Sequence, residues 1–359
     1  MERSAQLQRR AFLGAFPLLV LAPVTLKAST APEVLSIERT LMGTRTRVVV
    51  QGPGRANELL PAAEAAFTEM RRLEALFTRY RNTGPLQTLR HAAGSHPVSV
   101  PPELLWLLRQ AGAVSQRTNG DFDITVGAYS GWDFNPTRTP RLPTRNELER
   151  QSGLVNWRDV EIDERDGLVR LRRAGMRVDL GGIAKLPILE AGMQVLARHG
   201  LHDALIDGGG DVRASGRIQG RAWSVGVRDP MIPSRLLGLI ELEDGWVASS
   251  GDYERAFASG GRRYHHILDP RTGMPTQGTR GVTLVSRTLQ PLHGLGAALM
   301  VGGHTAAMRW LPELLDVEVL IVGKDGLHWS TPSFPNPQWP PQTAPLMAGQ
   351  TAPGRTGGL

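Results

Sequence analysis

Tyr264-His265-His266-Ile267-Leu268-Asp269-Pro270-Arg271-Thr272-Gly273-Met274-Pro275 is the stretch from which the rest of this 359-residue chain is best read. Tyr264 to Leu268 has the composition of a strand, and Asp-Pro followed by Thr-Gly-x-Pro places two turn signals directly after it. Two imidazoles, a carboxylate and a guanidinium are thereby carried to the lip of a strand, a placement that suits catalysis. An ordinary strand-to-loop corner with solvated polar side chains has the same local signature, so the segment acquires meaning from its company.

That company is three glycine-bearing segments. Val178-Asp179-Leu180 ends a strand, Gly181-Gly182 makes a turn, and Ile183 to His199 has the pattern of a helix whose first N–H groups are free to meet a phosphate. Lys185 falls in that first turn, where a cation is misplaced unless an anion lies beside it; a solvated lysine is the plainer alternative. A strand over His202 to Asp207 leads into Gly208-Gly209-Gly210-Asp211-Val212, where backbone can approach a ligand closely, although a glycine run alone is also a simple hinge. Strands over Leu237 to Leu242 and Trp246 to Ala248 deliver Ser249-Ser250-Gly251-Asp252-Tyr253-Glu254-Arg255.

In order and spacing these four segments resemble the ApbE family of FAD:protein FMN transferases, over about Arg39 to Gly323. The resemblance implies an α+β (mixed α/β) fold, with antiparallel or mixed sheets packed against helices, in a domain spanning residues 34–330. It also implies movement of FMN from FAD to a Ser or Thr hydroxyl of an acceptor protein, with AMP leaving. Met42-Gly43-Thr44 matches the family's flavin-contacting Met-Gly-Thr, and Phe122-Asp123-Ile124-Thr125-Val126-Gly127 resembles its Phe-Asp-Pro-Thr-Val-Gly with isoleucine in place of proline. The implied FAD-binding residues are Met42, Tyr80, Asp123, Thr125, Asp179, Gly181, Gly182, Lys185, Gly208, Gly209, Gly210, Asp211, Ser249, Ser250, Gly251, Asp252 and His266. His266 is the histidine implied to assist the acceptor hydroxyl, with Asp269 and Arg271 positioning it or the phosphates; its ordinary pKa suits proton transfer. Taken alone, Met42 would serve equally as core filler and Tyr80 as the end of a helix's apolar stripe. The family's Ser-Glu after that tyrosine is here Gly84-Pro85.

The family also implies Mg2+, held by an aspartate and a threonine of a motif resembling Ala-Asp-Ala-Leu-Ser-Thr-Ala-Leu and by a backbone carbonyl near the glycine turn. Here the aligned stretch is Leu292-His293-Gly294-Leu295-Gly296-Ala297-Ala298-Leu299. His293 and Ala297 replace both side-chain ligands, and the Ala184 carbonyl alone remains. Imidazole is a poor magnesium ligand. Three readings follow: metal held through phosphates and other residues, imidazolium charge at His293 in its stead, or a flavin-binding or FAD-hydrolysing relative without transfer.

The remaining sequence fits this frame. Leu35 to Gln51 reads as two strands, or one bent strand, broken at Leu41 to Thr44. Leu60, Ala63, Phe67, Met70, Leu73, Phe77 and Tyr80 recur every three or four residues as one face of a long helix. A second helix is expected over Pro101 to Thr118, a short one over Arg145 to Gln151, and a hairpin about Asp166-Gly167. Val282 to Val285 reads as a strand, Leu289 to Leu315 as a helix interrupted at Gly302-Gly303, and Val317 to Val322 with Leu327 to Ser330 as a closing hairpin. Trp132-Asp133-Phe134 and the proline-rich residues after it read as a surface excursion near the site.

Composition narrows the function further. The chain has no cysteine, which excludes disulfides, thiolate catalysis and cysteine metal sites. The formal charge of +7 falls to +4 without the first 28 residues, too mild and too scattered to indicate a nucleic-acid partner. Arg9-Arg10-Ala11-Phe12-Leu13 before the apolar run Gly14 to Leu26 resembles a twin-arginine export signal over residues 1–28, implying a periplasmic protein. A general secretory signal, or an uncleaved N-terminal anchor holding the protein to the inner membrane, is the alternative. Residues 331–359 are rich in Pro, Gly and Thr, the composition of a disordered tail.

Overall fold

Alternation of apolar and polar residues builds the central layer. The computed structural model describes residues 32–134 and 138–335; the expected export signal and most of the expected tail lie outside them. β1 (Glu33–Leu41) and β2 (Thr44–Gly52) pair across Met42-Gly43, two left-handed residues at φ 53° and 70°, as a two-residue hairpin turn requires. α1 (Ala56–Phe77) follows, then α2 (Pro85–Ala92), the short β3 (Val98–Ser99), α3 (Pro102–Arg117) and α4 (Arg145–Ser152). α4 is closed by a capping box between Thr144 and Glu147. β4 (Val160–Asp163) and β5 (Leu168–Leu171) make the expected hairpin, with β3 on the other side of β5.

α5 (Lys185–Arg198) comes next, followed by β6 (Asp203–Gly208), β7 (Val212–Ser215), β8 (Trp223–Arg228), β9 (Leu236–Leu242) and β10 (Gly245–Gly251). The chain then runs through the hairpin of β11 (Ala256–Ser259) and β12 (Arg262–His265), then β13 (Thr279–Ser286), α6 (Leu295–Trp310), β14 (Val317–Gly323) and β15 (His328–Ser330). Eight strands form one wholly antiparallel sheet, in the order β1-β2-β6-β7-β10-β13-β14-β15. The architecture is therefore α+β, an antiparallel sheet packed against helices.

Period-two alternation sorts each strand between two cores. Ala204 and Ile206 of β6, Trp246 and Ala248 of β10, and Val319 and Ile321 of β14 face the larger core with Phe67 and Met70 of α1, Leu189 of α5 and Leu299 of α6. Their neighbours Leu205, Val247, Leu320 and Val322 face a smaller core, roofed by Trp223, Val225 and Val227 of β8 and by Leu237 and Ile240 of β9. Phe334, just past β15, is buried in that second core. Each large apolar side chain so buried contributes roughly 1.5–3 kcal/mol.

Several local expectations are adjusted. α1 ends at Phe77, so Tyr80 lies beyond it, and Leu60 is on the exposed side of the stripe. Gly84-Pro85, read from the sequence only as a departure, opens α2 with proline in its first turn. The strand expected to reach Leu268 stops at His265; beyond it the His266 N–H bonds the Arg255 carbonyl, and Ile267 and Leu268 pair with Thr276 and Pro275 in an isolated bridge. The long helix expected over Leu289 to Leu315 begins as a 3-10 turn and is kinked at Gly303, whose φ is 62°. Among the described residues no helix is long and apolar enough to cross a membrane.

Candidate active site

Five segments distant in sequence meet at one recess. The Met42-Gly43 turn is fixed from below by the Met42 N–H, which donates to Glu74 Oε1 of α1 at 2.7 Å. Its carbonyl faces outward and accepts from the Arg255 guanidinium at 3.4 Å. Beside it the β6–β7 connection passes so close that a Cβ on Gly209, whose φ is 71°, would fall 2.3 Å from Thr44 Oγ1. Only glycine meets both demands there.

Asp211, at the end of that connection, is 8% exposed and joins two further segments. One carboxylate oxygen accepts from the Ser249 N–H of β10 at 2.9 Å, and the other lies 2.8 Å from Lys185 Nζ at the start of α5. Burial opposes the charge on Lys185, but the adjacent Asp211 carboxylate outweighs it and holds the ammonium pKa above its ordinary value. The anion that a lysine in a first helical turn calls for is therefore supplied, in part, by the protein itself.

His266 lies across from Lys185. Its backbone N–H donates to the Arg255 carbonyl at 3.1 Å, which carries the β11–β12 hairpin onto the recess. The residue is exposed. Loss of surrounding water, then the charge of Arg255 and more weakly that of His265 and Lys185, depress its pKa to about 4. His266 is thus a neutral imidazole near pH 7, able to accept a proton. Its neighbour His265 is 3% exposed and structural, with Nε2 2.8 Å from the Thr276 carbonyl and Nδ1 accepting from Ile267 N–H at 3.4 Å.

The glycine turn forms the far wall. Asp179 Oδ1 accepts from Gly181 N–H at 2.9 Å, and its other oxygen lies 2.8 Å from Arg79 Nε, whose guanidinium sits 4.8 Å from the centre of the Tyr80 ring. Gln87 of α2 holds this segment by donating to the Arg79 carbonyl at 2.8 Å. Tyr80 is 71% exposed, so the part of its ring that the Arg79 guanidinium does not cover is open to a planar ligand. Gly181 and Gly182 are exposed, and the N-cap of α5 is Ala184, which offers no side-chain acceptor. Pro187 has no N–H and the Ile188 N–H bonds the Ala184 carbonyl, so of the first turn the Lys185 and Leu186 N–H groups are left for an anion.

The other expected residues are engaged within the protein. Both oxygens of Asp123 are occupied, by the Thr125 N–H and hydroxyl at 2.7 and 2.6 Å and by the Trp157 N–H at 2.9 Å; burial pushes its pKa up. Thr125 in turn accepts from Asn156 N–H at 2.9 Å. Asp252 is buried against Arg280. Asp269 accepts from the Arg271 N–H at 2.9 Å, and the Arg271 guanidinium lies 2.6 Å from Asp121, so these two brace the loop after His266. Tyr129 Oη and Trp132 Nε1 clamp that loop through the Pro270 and Gly273 carbonyls at 3.0 and 2.8 Å. Arg255, absent from the expected site residues, is the addition; its place at the end of the Ser249 motif was the available signal.

The residues at the positions of the family's metal ligands do not fit a hard dication that takes oxygen donors. The His293 ring is 3% exposed and packs edge-on against Trp106, with centroids 5.4 Å apart. Burial lowers its pKa to about 4, which also removes the imidazolium alternative at neutral pH. Ala297 presents a methyl group, and the Ala184 carbonyl accepts the helical bond from Ile188 N–H at 3.2 Å. Among the described residues no group of three His, Cys, Asp or Glu could hold a metal ion.

Comparison with known proteins bears on the family and the fold. The chain is 32% identical over 304 residues to the FAD:protein FMN transferase of Treponema pallidum, covering 79% of this chain and 83% of that one. It superposes on the ApbE protein of Thermotoga maritima with a TM-score of 0.76 at 30% identity, covering 84% of this chain and 98% of the other. The flavin transferase ApbE of Vibrio cholerae gives 0.73 at 25% identity, over the same shares. The sequence profile of the ApbE family spans residues 42–321, from the Met42-Gly43 turn through the glycine turn, Asp211, Arg255 and His266 to β14, and the chain belongs to that family.

Proposed function

We propose that this protein is an FAD:protein FMN transferase. Its substrates are FAD and a protein presenting a Ser or Thr hydroxyl. The hydroxyl oxygen attacks the phosphorus on the FMN side of the FAD pyrophosphate. A new P–O bond forms as the bond to the AMP phosphate breaks, AMP leaves with that electron pair, and the hydroxyl proton passes to a ring nitrogen of His266. The observation that carries this reading is His266 itself, exposed, bonded through its backbone N–H to Arg255 and within electrostatic reach of the Arg255 and Lys185 cations.

The flavin ring is assigned to Met42 and Tyr80, the pyrophosphate to Gly181, Gly182, Lys185 and the Gly208 to Asp211 connection, and the adenylate to the side of Ser249 to Asp252. A bound pyrophosphate would offset the part of the depression of the His266 pKa that comes from Arg255 and Lys185, the smaller part beside the loss of water. The Arg9-Arg10-Ala11-Phe12-Leu13 segment supports export and a periplasmic place of action, with any membrane association confined to that segment. His266→Ala is expected to lower FMN addition to an acceptor about 100-fold or more, while FAD affinity measured by flavin fluorescence changes only a few-fold. Unaltered transfer would remove His266 from the mechanism.

A further inference from the structure

The gap in which the family's cation would lie is lined largely by apolar groups. Cβ atoms built on Gly182 and on Gly294 would fall 3.1 and 3.0 Å from the Phe122 ring, so that ring occupies the space between the glycine turn and the start of α6. From the other side the Ala297 methyl would lie 3.3 Å from the same Gly182 Cβ, and a Cβ on Gly296 would meet Ser250 Oγ at 2.6 Å. The His293 ring packs edge-on against Trp106. Ser250 Oγ and the Ala184 carbonyl are the oxygens near this wall, neither of them charged, and the rest of the surface described above is hydrocarbon where a dication needs anionic oxygen ligands.

Phosphoryl transfer still spreads negative charge over the equatorial oxygens and needs positive charge to meet it. Lys185 and Arg255 both flank His266. Lys185 is committed to Asp211 at 2.8 Å, whereas among the described residues no carboxylate pairs with Arg255. Its guanidinium is exposed and contacts the Met42 carbonyl at 3.4 Å, leaving most of its donors free.

We propose that this chain transfers FMN without a divalent cation between the glycine turn and α6, and that Arg255 is a catalytic residue whose guanidinium stabilises the phosphoryl group in flight. The inference rests on the transferase reading above. The bonds made and broken and the proton accepted by His266 are unchanged.

The test uses the full chain, FAD and a protein domain that carries phosphoester-linked FMN on threonine when isolated from cells. Adduct formation is followed by mass spectrometry in EDTA and in magnesium, and thermal unfolding is followed with magnesium alone. The expected result is transfer in EDTA within about twofold of that in magnesium and no shift of Tm. Arg255→Gln should lower kcat about 10²–10³-fold with the KM for FAD within a few-fold, and Arg255→Lys should recover part of the loss. Transfer that EDTA abolishes and magnesium restores, or a Tm raised by magnesium alone, overturns the metal-free claim while leaving the transferase reading intact. Unchanged kcat in Arg255→Gln overturns the role of the arginine. No adduct under any condition overturns the transferase reading and this inference with it.

Discussion

Lowering the pH should expose the cost of burying His293. The imidazole is 3% exposed, one ring nitrogen has no hydrogen-bond partner, and its pKa falls from 6.5 to about 4. Between those values the unfolded chain binds a proton that the native ring does not, so stability rises with pH across the window and is lost as pH falls through it. The difference of about 2.5 units corresponds to about 3 kcal/mol, complete near pH 4 and absent above about 7. In His293→Asn the titrating group is gone. Urea midpoints of parent and variant, measured at steps from pH 7.5 to 4, should therefore diverge by about 3 kcal/mol in the variant's favour as pH falls. His265 and His266 titrate in both proteins and cancel. Parallel curves would show that the ring is solvated or protonated in the native state, and the account of His293 as a neutral buried wall would be wrong.

Other perturbations separate folding from chemistry. Asp123→Ala leaves the Thr125 and Trp157 N–H groups without their acceptor in a buried place and should cost about 2–4 kcal/mol in urea unfolding, with FAD affinity of the folded fraction little changed. Gly209→Ala forces a side chain into a left-handed backbone and against Thr44, and should lower stability by about 1–3 kcal/mol while weakening FAD binding, as read by fluorescence titration.

Much of the site was legible because its chemistry sits in short contiguous motifs. The Met42-Gly43 break, the glycine turn before α5, the glycine run after β6 and the histidine before Asp-Pro are each local signals, and the fold carries the first three to the recess around the fourth. What the sequence withheld was pairing across distance. Nothing in the Lys185 segment reveals that its anion is Asp211, and nothing in the Asp123 segment reveals that the Trp157 N–H would claim its free oxygen. Strand length misled for a related reason: Ile267 and Leu268 look β-prone, but past His266, whose N–H still bonds Arg255 in the β11–β12 register, the chain pairs with its own return at Pro275 and Thr276. α2 escaped notice because Gly84-Pro85 marks a helix start as well as a loop. The roof of β8 and β9 follows from the alternating face of the sheet, yet the alternation alone does not say which segment covers it.

The most direct test of the central claim is the stoichiometry of products from the full chain, FAD and the flavin-acceptor domain. The expected result is one FMN residue on a Ser or Thr of the acceptor for each AMP released. AMP appearing together with free FMN and an unmodified acceptor would make the protein an FAD hydrolase, and FAD bound with no AMP at all would make it a flavin-binding relative; either would contradict the account.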